Sequence, residues 1–305
     1  MDTEYERNLH NAALTWLDDQ TRIGGGFRLF SSAELREGFT FGGQRVPLLA
    51  PQPGIWKPRH LSAALSIRTT FTPPGSRPPY DDAVGEDGMP RYKYRGEDPG
   101  HSDNRALRSA MEDRLPLVWF WGVAPAVYEA IHPVWVIAEE PLRHQFAVAV
   151  DEAQRSVPLD GPVTDDDRRY VERLTKARVH QPVFRAQVIV AYDQRCAVCR
   201  LKYPSLLDAA HILRDGHPRG DPVVENGLAL CKIHHAAFDQ NLIGVRPDRL
   251  VVEVRPDIRE DHDGPMLLHG LKEMHGVPLH LPAVRRAHPD PTRLEERWEE
   301  FRHAV

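Results

Sequence analysis

RCAVCRLKYPSLLDAAHILRDGHPRGDPVVENGLALCKIHHAAFDQNLIG, residues 195–244, holds every cysteine of the 305-residue chain. Cys196 and Cys199 are spaced C-x2-C, and Cys231 and His234 follow as C-x2-H. Two cysteines three positions apart can grip one ion from a tight turn, and a second pair further along completes a tetrahedron. This is zinc spacing. Four protein ligands leave no position open for water, so such a zinc is structural, and its binding would add on the order of 10 kcal/mol to a small module with little core of its own.

Between and beside the ligands the residue order carries chemistry. LLDAAHIL (206–213) predicts an apolar strand bearing His211, RDGHPRGDP (214–222) a turn-rich loop, NGLALC (226–231) a second strand opened by Asn226, and HHAAFDQN (234–241) a helix bearing His235. His, Asn and His in this order inside a four-ligand zinc frame resemble the HNH, or ββα-metal, nucleases. The resemblance implies metal-dependent phosphodiester hydrolysis, which needs a base, a divalent ion and a positioned duplex. It makes His211 the general base, Asn226 the brace of the loop behind it, and His235 a ligand of Mg²⁺ or Mn²⁺. Many members carry an acidic ligand just before the first histidine, where this chain has Ala210. Strand alternation puts Asp208 on the face of residue 210, so Asp208 is the expected carboxylate ligand, with Asp239, one helical turn after His235, in reserve.

From Phe41 to about Val150 the texture is different. Short apolar runs (VPLLA, AALSIRTTF, PLVWFWGV, HPVWVIAE, FAVAV) alternate with Pro, Gly and Asp, which predicts the strands of a barrel or sandwich. A long interruption, TPPGSRPPYDDAVGEDGMPRYKYRGEDPGHSDNRALRSAM, separates two of them and reads as a functional or disordered loop.

Gly54 and Ile55, ALSI (64–67), YDD (80–82), Gly88, YKYRG (92–96), DNRAL (103–107) and the strand PLVWFW (116–121) together are similar in order to SRA domains, PUA-like β-barrels that flip 5-methylcytosine or 5-hydroxymethylcytosine out of duplex DNA. A flipped base needs an aromatic face and an acceptor for the cytosine N4 hydrogens. Tyr80 and Tyr94 are the stacking candidates. Asp82 is the acceptor candidate, with Asp81 second.

The flanks read as supports. Residues 3–19 place Tyr5, Leu9, Ala12, Ala13, Trp16 and Leu17 at helical spacing, ended by Gly24, Gly25 and Gly26. SSAELREGF (31–39) predicts a second helix capped by Ser31 or Ser32. RSVPLDGPV (155–163) is Pro/Gly-punctuated, and the domain boundary is placed there. Thr164 then caps a helix with Tyr170, Val171, Leu174 and Ala177 as its buried stripe, and Pro182 opens another helix that delivers the chain to Cys196. VRPDRLVVEV predicts a strand, PMLLHGLKEMHGVPLHLP mixed strand and turn, and PTRLEERWEEFRHA a closing helix with Leu294, Trp298 and Phe301 inward. Its expected role is packing or dimer contact. His262, His269, His275, His280 and His288 lack ligand spacing and read as surface residues.

A net charge of −5 argues against nucleic acid when taken alone, but its distribution argues for it. Between residues 168 and 202 stand nine basic residues, Arg168, Arg169, Arg173, Lys176, Arg178, Arg185, Arg195, Arg200 and Lys202, against the two acids Glu172 and Asp193. A basic block leading into a zinc module is the footprint of a polyanion-binding surface. The 41% hydrophobic and 27% charged composition is that of a soluble globular protein, with no run long enough to span a bilayer. Three cysteines in a zinc pattern, with an acidic N-terminus, point to a reducing, cytoplasmic setting.

The combined expectation is an α+β chain. Residues 1–155 form an SRA-like (PUA-like) β-barrel with N-terminal helices, 156–163 a linker, and 164–305 a zinc-stabilised ββα-metal (HNH) nuclease domain with its core at 195–244. The order resembles the SRA-HNH modification-dependent restriction endonucleases and implies, as partner, double-stranded DNA bearing modified cytosine. Cutting both strands needs two active sites of opposite polarity, hence a homodimer. Two other readings compete: an HNH nuclease whose N-terminal domain binds DNA or RNA without regard to modification, and a non-catalytic zinc-stabilised DNA reader.

Overall fold

The computed structural model describes residues 3–52, 54–73, 84–156 and 164–304. They form two compact units, Met1–Val183 and Phe184–Val305, of mixed α+β architecture. Tyr80, Asp81 and Asp82 lie outside the described residues, as do residues 157–163 of the expected linker.

The first unit opens with α1 (Thr3–Ile23), which buries Leu9, Ala13 and Leu17 at a four-residue spacing. The same side carries two polar groups. Glu6 accepts hydrogen bonds from Ser62 N (2.8 Å), Ser62 Oγ (2.7 Å) and Ala63 N (3.1 Å), and His10 Nδ1 lies 2.7 Å from the Pro116 carbonyl. Burial without such partners would be costly. After β1 (Phe30–Ser31), Ser31 closes a capping box on α2 (Ser32–Glu37): its hydroxyl accepts from Glu34 N, and Glu34 accepts from Ser31 N. A small hairpin, β2 (Phe39–Phe41) with β3 (Gln44–Val46), follows. The expected strand through VPLLA stops at Val46. Pro47 interrupts it, and Leu48 N bonds instead to Leu35 O at 2.8 Å while its side chain enters the core with Leu9, Leu35, Phe39 and Phe120.

The main sheet is built from β4 (Ile55–Trp56), β5 (Ser66–Thr69), β6 (Arg91–Lys93), β7 (Leu117–Ala124), β8 (Val127–Glu140) and β9 (Gln145–Ala149). Its order is β4-β5-β7-β8-β9-β6, with β1 also on β8, and β5 and β7 run parallel. Register shifts in β7–β8 and β8–β9 bend it. The sheet curls far enough that the Tyr92 hydroxyl of β6 stands 2.9 Å from Gly54 O and 3.0 Å from Arg68 O, at the other end of the strand path.

The long interruption is not all loop. It contains β6 and α3 (Ser102–Glu112), so DNRAL is helical. Ala106, Leu107 and Ala110 supply a buried face, His101 Nδ1 accepts from Asp103 N at the N-cap, and buried Asn104 ties Arg95 N, Arg95 O and Asp98 O together. The surrounding Gly, Pro and Asp hide this short helix from a reading by texture.

α4 (Asp165–Thr175) starts at the Thr164 cap and buries Val171 and Thr175. The expected stripe shifts: Tyr170 and Ala177 are exposed and Leu174 is half-buried. The buried polar Gln154 sets the facing, with Nε2 donating to Val171 O (3.1 Å) and lying 3.0 Å from Thr175 Oγ1.

The second unit takes over within α5 (Gln181–Ala191). It contains the antiparallel pair β10 (Leu207–His211) and β11 (Gly227–Cys231), α6 (Lys232–Asp239), and the hairpin β12 (Ile243–Arg246) with β13 (Val251–Val254). α7 (Pro256–Glu260), α8 (Pro265–Gly270) and α9 (Pro291–His303) complete it. PMLLHG is thus helical rather than strand and turn, with Pro265 in the first helical turn, where its missing N–H costs nothing. In α9, Leu294, Arg297 and Phe301 are the buried residues, and Trp298 is half-buried, stacked on Phe301 at 5.1 Å. Arg297 is inward because it caps α6. Its Nη2 donates to Phe238 O (2.5 Å), it pairs with Asn241 Oδ1, and the guanidinium lies over the Phe238 ring at 4.5 Å.

Candidate active site

Cys196, Cys199, Cys231 and His234 form a cluster that could hold zinc. A tight turn brings Cys196 N to Leu201 O (3.1 Å) and Arg200 N to Cys196 O (2.9 Å), and Ala197 N ties the turn to Ala229 O of β11 (2.6 Å). Cys196 and Cys199 thereby meet Cys231, which ends β11, and His234 in the first turn of α6. Their four ligand atoms lie within 4.8 Å of one another. His234 Nδ1 is 3.1 Å from Cys231 Sγ and 3.5 Å from Cys196 Sγ, and Cys199 Sγ is 4.0 Å from Cys231 Sγ. Tetrahedral zinc with Zn–S bonds of about 2.3 Å sets its ligand atoms about 3.8 Å apart, so the donor set fits. His234 Nε2 lies 2.8 Å from Gly270 O at the end of α8, a bond that fixes the tautomer leaving Nδ1 for the metal.

β10 and β11 hold the remaining residues in register, with Asp208 opposite Leu230 and His211 opposite Gly227. Asn226, wholly buried, closes the loop between the strands. Its Oδ1 accepts from Leu213 N (2.9 Å), and its Nδ2 donates to Leu213 O (3.0 Å) and Asp221 O (3.1 Å). Both ends of the loop are thus fastened to one side chain.

Asp208 and His235 meet across the strand and the helix. Asp208 Oδ2 is 3.5 Å from His235 Nδ1 and 2.5 Å from Lys232 Nζ, and Oδ1 is 3.3 Å from Arg185 Nε. His235 Nε2 is 3.3 Å from Asp239 Oδ2. The contact with His235, seconded by Lys232 and Arg185, holds the Asp208 carboxyl well below the usual carboxylate range. The same contact, with Asp239 beyond it, raises the His235 imidazole against the opposing effect of burial. Asp208 and His235 are the residues that could hold a divalent ion, a carboxylate oxygen and an imidazole nitrogen standing 3.5 Å apart.

His211 sits on the α5 side. Its ring stacks on that of Phe184, with centroids 4.3 Å apart and planes inclined by 29°. The hairpin therefore sets Asp208 against His235 and Lys232 of α6 and Arg185 of α5, and His211 against Phe184 of α5. α5 packs so closely here that a Cβ on Gly227 would fall 2.4 Å from Val188 Cγ2 and 3.1 Å from Phe184 Cζ, which only glycine avoids.

The nine basic residues are divided between the units. Arg168, Arg169 and Arg173 project from α4, Arg169 pairing with Asp166 and Arg173 lying over Tyr170, while Arg178 pairs with Asp151. Lys176 is half-buried. In the second unit Arg200 and Lys202 are exposed and Arg195 pairs with Asp193. Arg185 is turned inward. It donates to Leu207 O from Nε (3.1 Å) and Nη2 (2.7 Å), and to Pro204 O (3.2 Å).

Tyr94 is a core residue, 2% exposed, its ring 4.9 Å from Phe146 and its hydroxyl bonded to Glu139. Burial, then the Glu139 carboxylate, push the phenol up to about 12. Arg108 Nε closes the far side of Glu139 at 2.7 Å. Lys232, Phe184 and the inward role of Arg185 were not read from the sequence. Lys232 had a usable signal, standing three residues before His235 on one helix face.

The family model for HNH endonucleases matches residues 196–246, and this segment is an HNH endonuclease domain. Among solved structures the chain is similar to one described as a modification dependent TagI restriction endonuclease, with 18% identity, a TM-score of 0.28, and coverage of 78% of this chain and 82% of that chain. No curated protein sequence matches it significantly. No helix among the described residues is long and apolar enough to cross a membrane.

Proposed function

We propose that this protein is a metal-dependent endonuclease that hydrolyses phosphodiester bonds in double-stranded DNA and acts on DNA carrying 5-methylcytosine or 5-hydroxymethylcytosine. The observation that carries the nuclease half is the Asp208–His235 pair, 3.5 Å apart on a zinc-framed β-hairpin and helix, with His211 on the same hairpin. A divalent ion held by Asp208 and His235 would supply positive charge to the scissile phosphate. The His211 imidazole takes the proton from the attacking water, a new P–O bond forms in line, and the P–O bond to the leaving strand breaks. Asn226 keeps the loop behind His211 in place. Zinc at Cys196, Cys199, Cys231 and His234 has no step in the chemistry.

The reader half rests on the resemblance of residues 40–150 to SRA domains, with base flipping onto Tyr80 and hydrogen bonding to Asp82 or Asp81. The curled sheet is consistent with it, but buried Tyr94 serves better as a wall of that unit than as a stacking face. The basic residues from Arg168 to Lys202 other than Arg185 are assigned to DNA contact, and a homodimer would supply two sites of opposite polarity.

The deciding experiment incubates the protein with matched plasmids carrying cytosine, 5-methylcytosine or 5-hydroxymethylcytosine, with and without Mg²⁺ or Mn²⁺. Metal-dependent cutting confined to modified plasmids is expected. Equal cutting of all three leaves an HNH nuclease with a modification-insensitive binding domain, and binding of modified duplex without cutting leaves a reader.

A further inference from the structure

Two consecutive residues of α5 touch the two separate halves of the candidate centre. Phe184 stacks on the His211 ring, with centroids 4.3 Å apart and planes inclined by 29°. Arg185, the next residue, takes Oδ1 of Asp208 at 3.3 Å and also clamps the carbonyls of Leu207 and Pro204, where the chain enters β10. The other carboxylate oxygen, Oδ2, lies 3.5 Å from His235 Nδ1 and 2.5 Å from Lys232 Nζ. The helix is locked to this spot by the contact of Val188 and Phe184 with Gly227, the register partner of His211. A planar guanidinium with a fork of donors can fix both a strand end and a carboxylate at once, which an ammonium cannot. A ring stacked face to face with an imidazole restricts its rotation without offering it a competing hydrogen bond.

We infer that Phe184 and Arg185 are positioning residues of the nuclease centre: Phe184 sets the plane of the His211 ring, and Arg185 selects which oxygen of Asp208 faces His235. Neither contacts the reacting atoms. Supporting side chains of this kind control rate because misplacement of a reacting group by about 1 Å can cost 10²-fold. This inference rests on the reading of the centre as hydrolytic, and its test includes a measurement that does not require cutting.

The test uses the full chain, zinc-loaded, as wild type, Phe184→Leu and Arg185→Lys, each checked for one zinc per chain and for its melting temperature. Single-turnover nicking of supercoiled modified plasmid at saturating metal should fall about tenfold or more in both variants, with DNA affinity within about twofold of wild type, and Phe184→Tyr should recover most of the Phe184→Leu loss. Independently of cutting, Mn²⁺ titration by calorimetry should show weaker binding in Arg185→Lys, and the His211 ring proton resonances should move out of the ring-current shift of Phe184 in Phe184→Leu. Nicking rates, Mn²⁺ affinity and His211 resonances all unchanged in folded variants would overturn the inference. If Phe184→Leu loses its zinc, Arg185→Lys and Phe184→Tyr decide it. A wild type that cuts no DNA would defeat the nuclease reading, and the two non-catalytic measurements would still judge the positioning roles.

Discussion

His235 is held between two carboxylates, its Nδ1 3.5 Å from Asp208 Oδ2 and its Nε2 3.3 Å from Asp239 Oδ2. Asp208→Asn and His235→Ala should each lower plasmid nicking by about 10² or more, the range lost when a positioned catalytic group is removed. Zinc content and melting temperature should stay near wild type, because neither residue belongs to the Cys196, Cys199, Cys231 and His234 set. A variant that cuts at the wild-type rate refutes the assignment of that residue.

The same two carboxylates make metal loading depend on pH. Hydrogen bonding to Asp208, then the charge of Asp239, raise His235 above its ordinary 6.5, so the imidazole stays protonated to higher pH and the proton competes with a divalent ion. Mn²⁺ affinity should therefore keep climbing as pH rises past 6.5. Asp239→Asn removes part of the raising effect and should move that climb to lower pH; an unmoved profile in calorimetric titration counts against it.

Zinc removal should unfold the module that bears the chemistry. The ligands sit on a tight turn, a five-residue strand and an eight-residue helix, and the loss of on the order of 10 kcal/mol of metal binding exceeds what so small a frame supplies. Chelation, or Cys231→Ser, is expected to abolish one bound zinc per chain, reduce helical circular dichroism and stop nicking. Retention of a full melting transition for residues 184–305 without zinc would show the frame to be dispensable.

Asn226→Ala removes a buried side chain that makes three hydrogen bonds to backbone groups of Leu213 and Asp221. The loss should be about 2–4 kcal/mol, measured by denaturant unfolding. Asn226→Asp keeps the acceptor but replaces two donated bonds with a buried negative charge, and should be at least as damaging. A cost below about 0.5 kcal/mol for either would mean that the loop is held elsewhere.

In the first unit, His10 gives acid sensitivity a definite sign. Burial depresses its imidazole below 6.5, with the Pro116 carbonyl and Glu6 only partly offsetting. Above 6.5 both folded and unfolded chains carry it neutral. As pH falls below 6.5 the unfolded chain takes up a proton that the folded one resists, so stability declines until the depressed folded value is passed. His132, also lowered by burial, acts in the same direction. Thermal melts between pH 7.5 and pH 5 should show a shallower decline in His10→Asn than in wild type; parallel curves would reject the role of His10.

How much of this was legible in the sequence follows from how local each feature is. The zinc set, the two strands around His211 and Asn226, and the helix carrying His235 are written in spacing and alternation, and the structure brings Asp208 to His235 as the period of two requires. α1, the Ser31 cap and α9 were equally readable from periodicity and capping chemistry. α3 was not, because a short helix amid Gly, Pro and Asp has too few residues to display a period. Arg297 joins Leu294 and Phe301 on the inward side of α9, ahead of half-buried Trp298, because that side is decided by a carbonyl at the end of α6, a partner some sixty residues away. Arg185 counted as one more basic residue in a run, and nothing in a linear count distinguishes a cation facing outward from one that fastens a strand.

The bond from His234 Nε2 to Gly270 O, the Arg297 cap on Phe238 and the Phe301 ring, 2.6 Å from where a Cβ on Gly244 would stand, have one consequence for engineering. The matched HNH segment ends at residue 246, yet its metal ligand, its helix terminus and its next strand are each finished by side chains or carbonyls from 270 onward. Grafting 196–246 alone onto another DNA-binding protein would transplant the reactive groups without the parts that complete them. A portable cutting cassette has to carry the chain through α9.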